Sequence, residues 1–212
     1  MNSAASGRGC TNRPVFYTAT LLLMLIGSSL SFGQNGVDTP FAAGGAGLET
    51  SIWKPSSLDD YPARAFKPVT GSQASFGIFF FTPHLNNFAL RISLMQWHQG
   101  ELSDRSHLDS VTLRHLSLEL KQSIVAGTRI SPFVSYGLAA IWSRERPAGG
   151  AKVPLDRAGF CVNVGAGVEV LILRNLGAGV EYHYLYAKFA KKVGLTDNYS
   201  GPKLTFRLMV LF

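Results

Sequence analysis

Cysteine is nearly absent: the 212 residues hold two, Cys10 and Cys161. Cys10 lies before the apolar run at 15–26, whereas a lipid-modified cysteine follows such a run, which excludes a lipoprotein. If the first segment is removed on export, Cys161 is the one thiol left, and a disulfide-stapled scaffold is excluded with it. The run at 15–26 is short for a membrane-spanning helix and no second hydrophobic helix follows. From residue 41 onward there is no convincing period of 3.6. Metal-ligand spacing, a glycine-rich phosphate loop and nucleic-acid motifs are missing too, so no metal, cofactor or nucleic-acid partner is expected. The glycines near 44–47 and 165–167 fit close strand packing, because no helix follows them.

What is present begins with an export signal. Arg8 and Arg13 stand before the apolar run with no acid among them, and Gly27, Ser28, Ser29, Leu30 and Ser31 follow it. This is a basic region, a short hydrophobic region and a small-residue exit. Cleavage after Gly33 would leave Gln34 as the mature N-terminus; cleavage after Ser31 is the alternative. Taking residues 1–33 as signal peptide removes two arginines and no acid, so the net charge falls from +7 to +5. Residues 34–212 then suit one domain.

From Phe41 the chain alternates apolar and polar residues in stretches divided by turn signals, an all-β pattern. Strands are expected near 41–53, 72–82, 87–98, 109–122, 129–143, 158–172, 175–188 and 200–212. Eight is the smallest even count for a closed transmembrane barrel. Connections near 54–71, 99–108, 144–157 and 189–199 are long and polar; those near 83–86, 123–128 and 173–174 are short. Outer-membrane barrels place long loops outside and tight turns on the periplasmic side, which puts both termini in the periplasm.

Parity separates two faces. Leu204, Phe206, Leu208, Val210 and Phe212 share one side of the last strand, and Lys203, Thr205 and Arg207 the other. Leu176 to Tyr186 in even steps oppose Gly177, Gly179, Glu181 and His183, and Phe160 to Val170 in even steps oppose Cys161, Asn163, Gly165, Gly167 and Glu169. A charge-free band beside a polar face is what lipid outside and a polar interior require. A soluble barrel would reverse the faces; the export signal, the alternating loop lengths and the tyrosines at 182–186 favour the membrane. Trp53, Trp97, Trp142 and Tyr186 fall at loop-side strand ends, where membrane interfaces attract such rings. Trp142 and Tyr186 share the apolar parity; Trp53 and Trp97 do not, which leaves a bulge or an interior position. Arg114 falls on the apolar face of Leu116, Leu118 and Leu120, at a cost of about 0–1 kcal/mol near the rim against about 2–4 at mid-membrane.

By the same parity the interior collects Glu49, Arg91, Glu119, Glu169, Glu181, His183, Lys203 and Arg207, with Glu181 expected opposite Arg207. Glycines 165, 167, 177 and 179 leave room for long neighbouring side chains. Eight strands enclose a space just wide enough for side chains to fill, so these charge pairs are expected to plug the lumen.

The stretches 44–53, 116–142 and 198–212 (GGAGLETSIW, LSLELKQSIVAGTRISPFVSYGLAAIW and NYSGPKLTFRLMVLF) resemble the small outer-membrane β-barrels that include the OmpA membrane domain, OmpX and OmpW. The resemblance lies in patterning over nearly all of the mature chain. It implies an eight-stranded antiparallel barrel in contact with outer-membrane lipid, expected as a monomer, and a final strand, Phe206, Leu208, Val210 and Phe212, read by the barrel-assembly machinery. Val210 stands where an aromatic residue is more usual.

Three functions follow as expectations. The favoured one is a non-enzymatic envelope scaffold or surface-contact protein; the second is a narrow conduit for small or hydrophobic solutes, which resemblance to OmpW implies. The third is a lipid A-modifying hydrolase: His115, Ser117 and Glu119 alternate on one strand face and could supply base, nucleophile and orienting carboxylate. That element resembles the His-x-Ser of the lipid A deacylases, although Leu118 replaces their asparagine. Arg144, Arg146, Lys152 and Arg157 in one loop, and Lys188, Lys191 and Lys192 in another, are placed to meet lipopolysaccharide phosphates or to be ordinary solvated charge.

Overall fold

A computed structural model describes residues 44–56, 74–85, 87–100, 108–124, 129–147, 155–193 and 196–212. The export-signal reading of residues 1–33, Lys152 and the side chain of Arg146 lie outside the described residues. The described strands are β1 (Gly45–Trp53), β2 (Ala74–Phe81), β3 (Phe88–Gly100), β4 (Leu108–Ser123), β5 (Ile130–Pro147), β6 (Leu155–Leu173), β7 (Leu176–Val193), β8 (Thr196–Asn198) and β9 (Gly201–Leu211).

Each strand pairs antiparallel with its sequence neighbour from β1 to β7, and β9 pairs with both β7 and β1. Eight strands thereby close into an all-β barrel without a free edge, the arrangement that satisfies every ladder group in lipid. The short β8 lies outside that ring, folded against β7 in what the sequence reads as loop. At one end the chain turns tightly: Leu85 and Phe88 exchange backbone hydrogen bonds across a two-residue turn, and Asn87 takes a φ of 70°, a left-handed conformation that asparagine tolerates. Arg174 and Asn175 make a second two-residue turn.

Parity decides burial as expected. Outward side chains on β6 and β7 include Phe160, Val162, Val164, Val180, Tyr182, Tyr184 and Tyr186, all exposed. Their odd-numbered neighbours Asn163, Glu169, Glu181 and His183 are buried. Glycines on the inner face make the crossing of large groups possible. A Cβ on Gly167 would come within 2.7 Å of Phe133 Cζ, and one on Gly165 within 2.9 Å of His183 Nδ1.

β5, β6 and β7 have 18, 19 and 18 residues, where about 9–11 tilted residues cross a bilayer. The three strands therefore continue past the apolar band on the long-loop side. The connections expected at 144–157 and 189–199 are shorter than the sequence suggests. Alternation persists through Ser143, Arg144 and Glu145, with Arg144 paired to Asp156 in the ladder, so polar composition there reflects strand beyond the membrane rather than loop.

Candidate functional site

The middle of the lumen holds a layer of charge. Glu119 and Arg91 face each other in the β3–β4 register, and Glu49 and Arg207 in the β1–β9 register. Arg91 Nε donates to Glu119 Oε2 at 2.7 Å, and Arg207 Nε to Glu49 Oε2 at 3.0 Å. Glu181, fully buried, joins the two pairs: its carboxylate meets Arg91 at 2.9 Å and also binds Arg207 Nη1, the Ser135 hydroxyl and His183 Nε2. Glu181 is opposite Thr205 rather than Arg207 in the ladder, one diagonal step from the expected register, and the long guanidinium spans that step. Asn163 Nδ2 donates to the second oxygen of Glu119 at 2.6 Å.

Two further cations complete the layer. Lys121 donates to Glu169 Oε2 at 2.7 Å, and Lys203 approaches His115 Nε2 at 3.3 Å and Met95 Sδ at 2.7 Å. Lys121 shares the parity of Glu119, so the alternation that identified the other members also points to it, although the sequence reading omits it. Among the described residues of this layer, Glu49, Glu119, Glu169 and Glu181 balance Arg91, Lys121, Lys203 and Arg207. Buried charges persist when they are paired and further hydrogen-bonded, and neutrality across the layer meets that condition.

Charge alone does not fill the lumen. Toward the long-loop end an apolar cluster takes over, with Trp53, Trp97, Leu113, Ile141, Leu185, Phe189 and Tyr199 among its members. Trp53 and Trp97 meet edge to face with centroids 5.6 Å apart, and Tyr199 packs on both and on Phe189. The interior position left open for the two tryptophans is thus the one adopted. Tyr199 comes from the segment after β8 and is tied down, its hydroxyl donating to Val193 O at 2.7 Å and its N–H to Ala187 O at 2.8 Å. Toward the tight-turn end a smaller cluster of Phe79, Phe81, Met209 and Leu211 closes the other side. Lys121 Nζ lies over the Phe81 ring at 4.8 Å, linking charge to aromatic layer.

The remaining residues singled out in the sequence divide by face. His115, Ser117 and Glu119 do share a face, but Ser117 Oγ pairs with Ser93 Oγ at 2.7 Å while Glu119 serves Arg91, so nucleophile, base and acid are not assembled. Phe206, Leu208, Val210 and Phe212 all point outward. Of the basic residues, Arg157 turns inward to Glu145 at 3.2 Å, and Lys188, Lys191 and Lys192 are exposed on β7 rather than in a loop. Arg144 is outward on β5, 3.3 Å from Asp156. Arg114 is outward on β4 and donates through Nε to Gln96 at 2.9 Å.

No protein-family model matches the chain, and no curated protein matches it in sequence. In structure it is similar to neisserial surface protein A, with TM-score 0.57 and 13% identity over 80% of this chain and 96% of that one. It is also similar to the N-terminal β-barrel domain of Pseudomonas aeruginosa OprF, with TM-score 0.51 and 14% identity over 79% and 97%. The fold is therefore that of the small outer-membrane β-barrels.

Proposed function

We propose that this chain is an integral outer-membrane protein that acts without catalysis, as an envelope scaffold or surface-contact protein whose lumen is closed by its own side chains. The observation that carries this reading is the three-layer filling of the barrel: apolar cluster, balanced charge layer, apolar cluster. A conduit needs a continuous wettable path, and two desolvated plugs interrupt one at both ends. The exterior fits lipid, since among the described residues no charged side chain points outward between the rim of Arg114, Arg144 and Lys188 and the opposite rim of Arg129 and Arg174.

The same rims support an orientation with the long connections outside the cell and both termini in the periplasm. The outward row Phe206, Leu208, Val210 and Phe212 supports recognition of β9 by the barrel-assembly machinery. Planar-bilayer recording on the refolded protein tests the closed lumen. A silent bilayer is expected, and discrete single-channel openings would replace the scaffold by a conduit. Electrophoresis with and without boiling tests the membrane barrel itself, which should migrate differently until heated; a soluble periplasmic protein would overturn the reading.

A further inference from the structure

On the outer face, where the apolar band of β4, β5 and β6 gives way to charge, the strands form one groove lined by Thr112, Arg114, Trp142, Arg144 and Asp156. The β4–β5 register sets Arg114 opposite Trp142 and Thr112 opposite Arg144. The two guanidiniums therefore stand on one face at diagonal positions, whose Cα atoms are about 7–8 Å apart in an antiparallel pair. Arg114 bonds to the neutral Gln96, and no carboxylate pairs with it among the described residues. Arg144 has the single acid Asp156, at 3.3 Å with both side chains well exposed, a pair too solvated to satisfy it. Lys188 adds a third exposed cation one strand on, beside Phe160 in the register.

Directly below the groove on the same strands lie exposed Leu116, Leu118, Leu138, Phe160 and Val162. A molecule with its anionic head between the arginines would lay its chains on these residues. A soluble anion could use the first feature but not the second. Arginine forks match phosphate oxygens, and tryptophan favours the level of lipid headgroups.

We propose that this groove binds the phosphate of a phosphorylated glycolipid of the outer leaflet, with Arg114 and Arg144 as the phosphate ligands and Trp142 as the floor. The site rests on the orientation proposed above, which places this rim in the outer leaflet. It differs from the loop-charge expectation in naming Arg114, in facing the bilayer rather than solvent, and in leaving out Lys191, Lys192 and Arg157.

The test uses the full chain refolded in nanodiscs of phosphatidylethanolamine doped with bisphosphorylated lipid A, followed by native mass spectrometry of retained lipid. The wild type should retain lipid A, and Arg114→Gln/Arg144→Gln should retain about a hundredfold less, as expected when two contacts of about tenfold each are lost. Lys191→Gln/Lys192→Gln should match the wild type, and lipid A stripped of phosphate should be retained no better by the wild type than by the double variant. Inorganic phosphate at millimolar level should not displace the lipid; displacement would mean a free-anion site and overturn the assignment. Equal retention by wild type and the Arg114/Arg144 variant would also overturn it. Orientation is checked apart, by reaction of Gly149→Cys with an impermeant maleimide on intact cells. A labelled cysteine with unchanged lipid retention refutes the groove alone, and an unlabelled one refutes the orientation on which it stands.

Discussion

Removing the Glu181 carboxylate, as in Glu181→Ala, strikes the point where the two halves of the charge layer meet. The change deprives Arg91 and Arg207 of a shared acceptor and leaves the layer with one cation in excess, at a position with no solvent access. Breaking a buried pair from one side costs about 3–5 kcal/mol. Both arginines keep a second carboxylate, Glu119 and Glu49, which argues for the lower end, about 3 kcal/mol. With an m-value of about 1–3 kcal/mol/M, the urea midpoint in detergent should fall by about 1–3 M. Asp156→Ala, which removes an exposed partner of Arg144, is the comparison and should cost about 0–1 kcal/mol. Replacing Glu181 and Arg207 together by Leu and Met restores the charge count but leaves buried Glu49 without its ion pair, so little of the loss should be recovered. The measurement is the urea-dependent loss of the heat-sensitive gel band. Equal midpoints for Glu181→Ala and Asp156→Ala would refute the claim that the charge layer holds the barrel.

Leu118→Arg, in the middle of the lipid-facing band, should destabilise the bilayer-embedded barrel by about 2–4 kcal/mol, and Thr112→Arg at the rim by about 0–1; reversal of that order in urea unfolding would place the membrane elsewhere along the strands. Trp97→Ala should cost about 3–5 kcal/mol yet leave planar bilayers silent, because the charge layer and the Phe79 and Phe81 cluster still obstruct the lumen. Cys161, buried on the inner wall, should resist a maleimide in the folded barrel and react after heating in detergent; ready labelling of folded protein would show an open lumen. Ser117→Ala should leave the lipid A mass spectrum of the host unchanged, since its hydroxyl is turned to Ser93 inside the barrel.

Strand number, face assignment and most of the charge layer are legible in the sequence because the period of two is unbroken where one face meets lipid and the other meets charge. Glu181 and Lys203 stand out against Tyr182 and Leu204 for that reason. The aromatic plug leaves no such contrast. On β4 the inward series runs Val111, Leu113, His115, Ser117, Glu119, so its first members match their lipid-facing neighbours in polarity and alternation carries no contrast there. Trp53 and Trp97 were ambiguous for the same reason: an interface belt and a lumen core ask for the same side chain. The length of β5–β7 was masked differently. Beyond the membrane both faces of a strand tolerate polar residues, and Arg144 to Arg146 then read as loop. Tyr199 is held in the mouth by its N–H on Ala187 O and its hydroxyl on Val193 O, both carbonyls of β7, which no alternation of polarity records.

The seam between β1 and β9 joins segments far apart in the chain, and it is marked by two inward contacts, Glu49 with Arg207 and Ser51 with Thr205. Until that seam forms, the two strands are open edges carrying apolar residues, the state in which β-proteins aggregate. A slip of β9 by one residue there would turn Arg207 out into hydrocarbon, leave Glu49 inside without its partner and move Phe206 and Leu208 inward. The ion pair thus acts as a proofreading device: only one alignment of the closing strands is affordable in a bilayer, and assembly ends when that alignment is found.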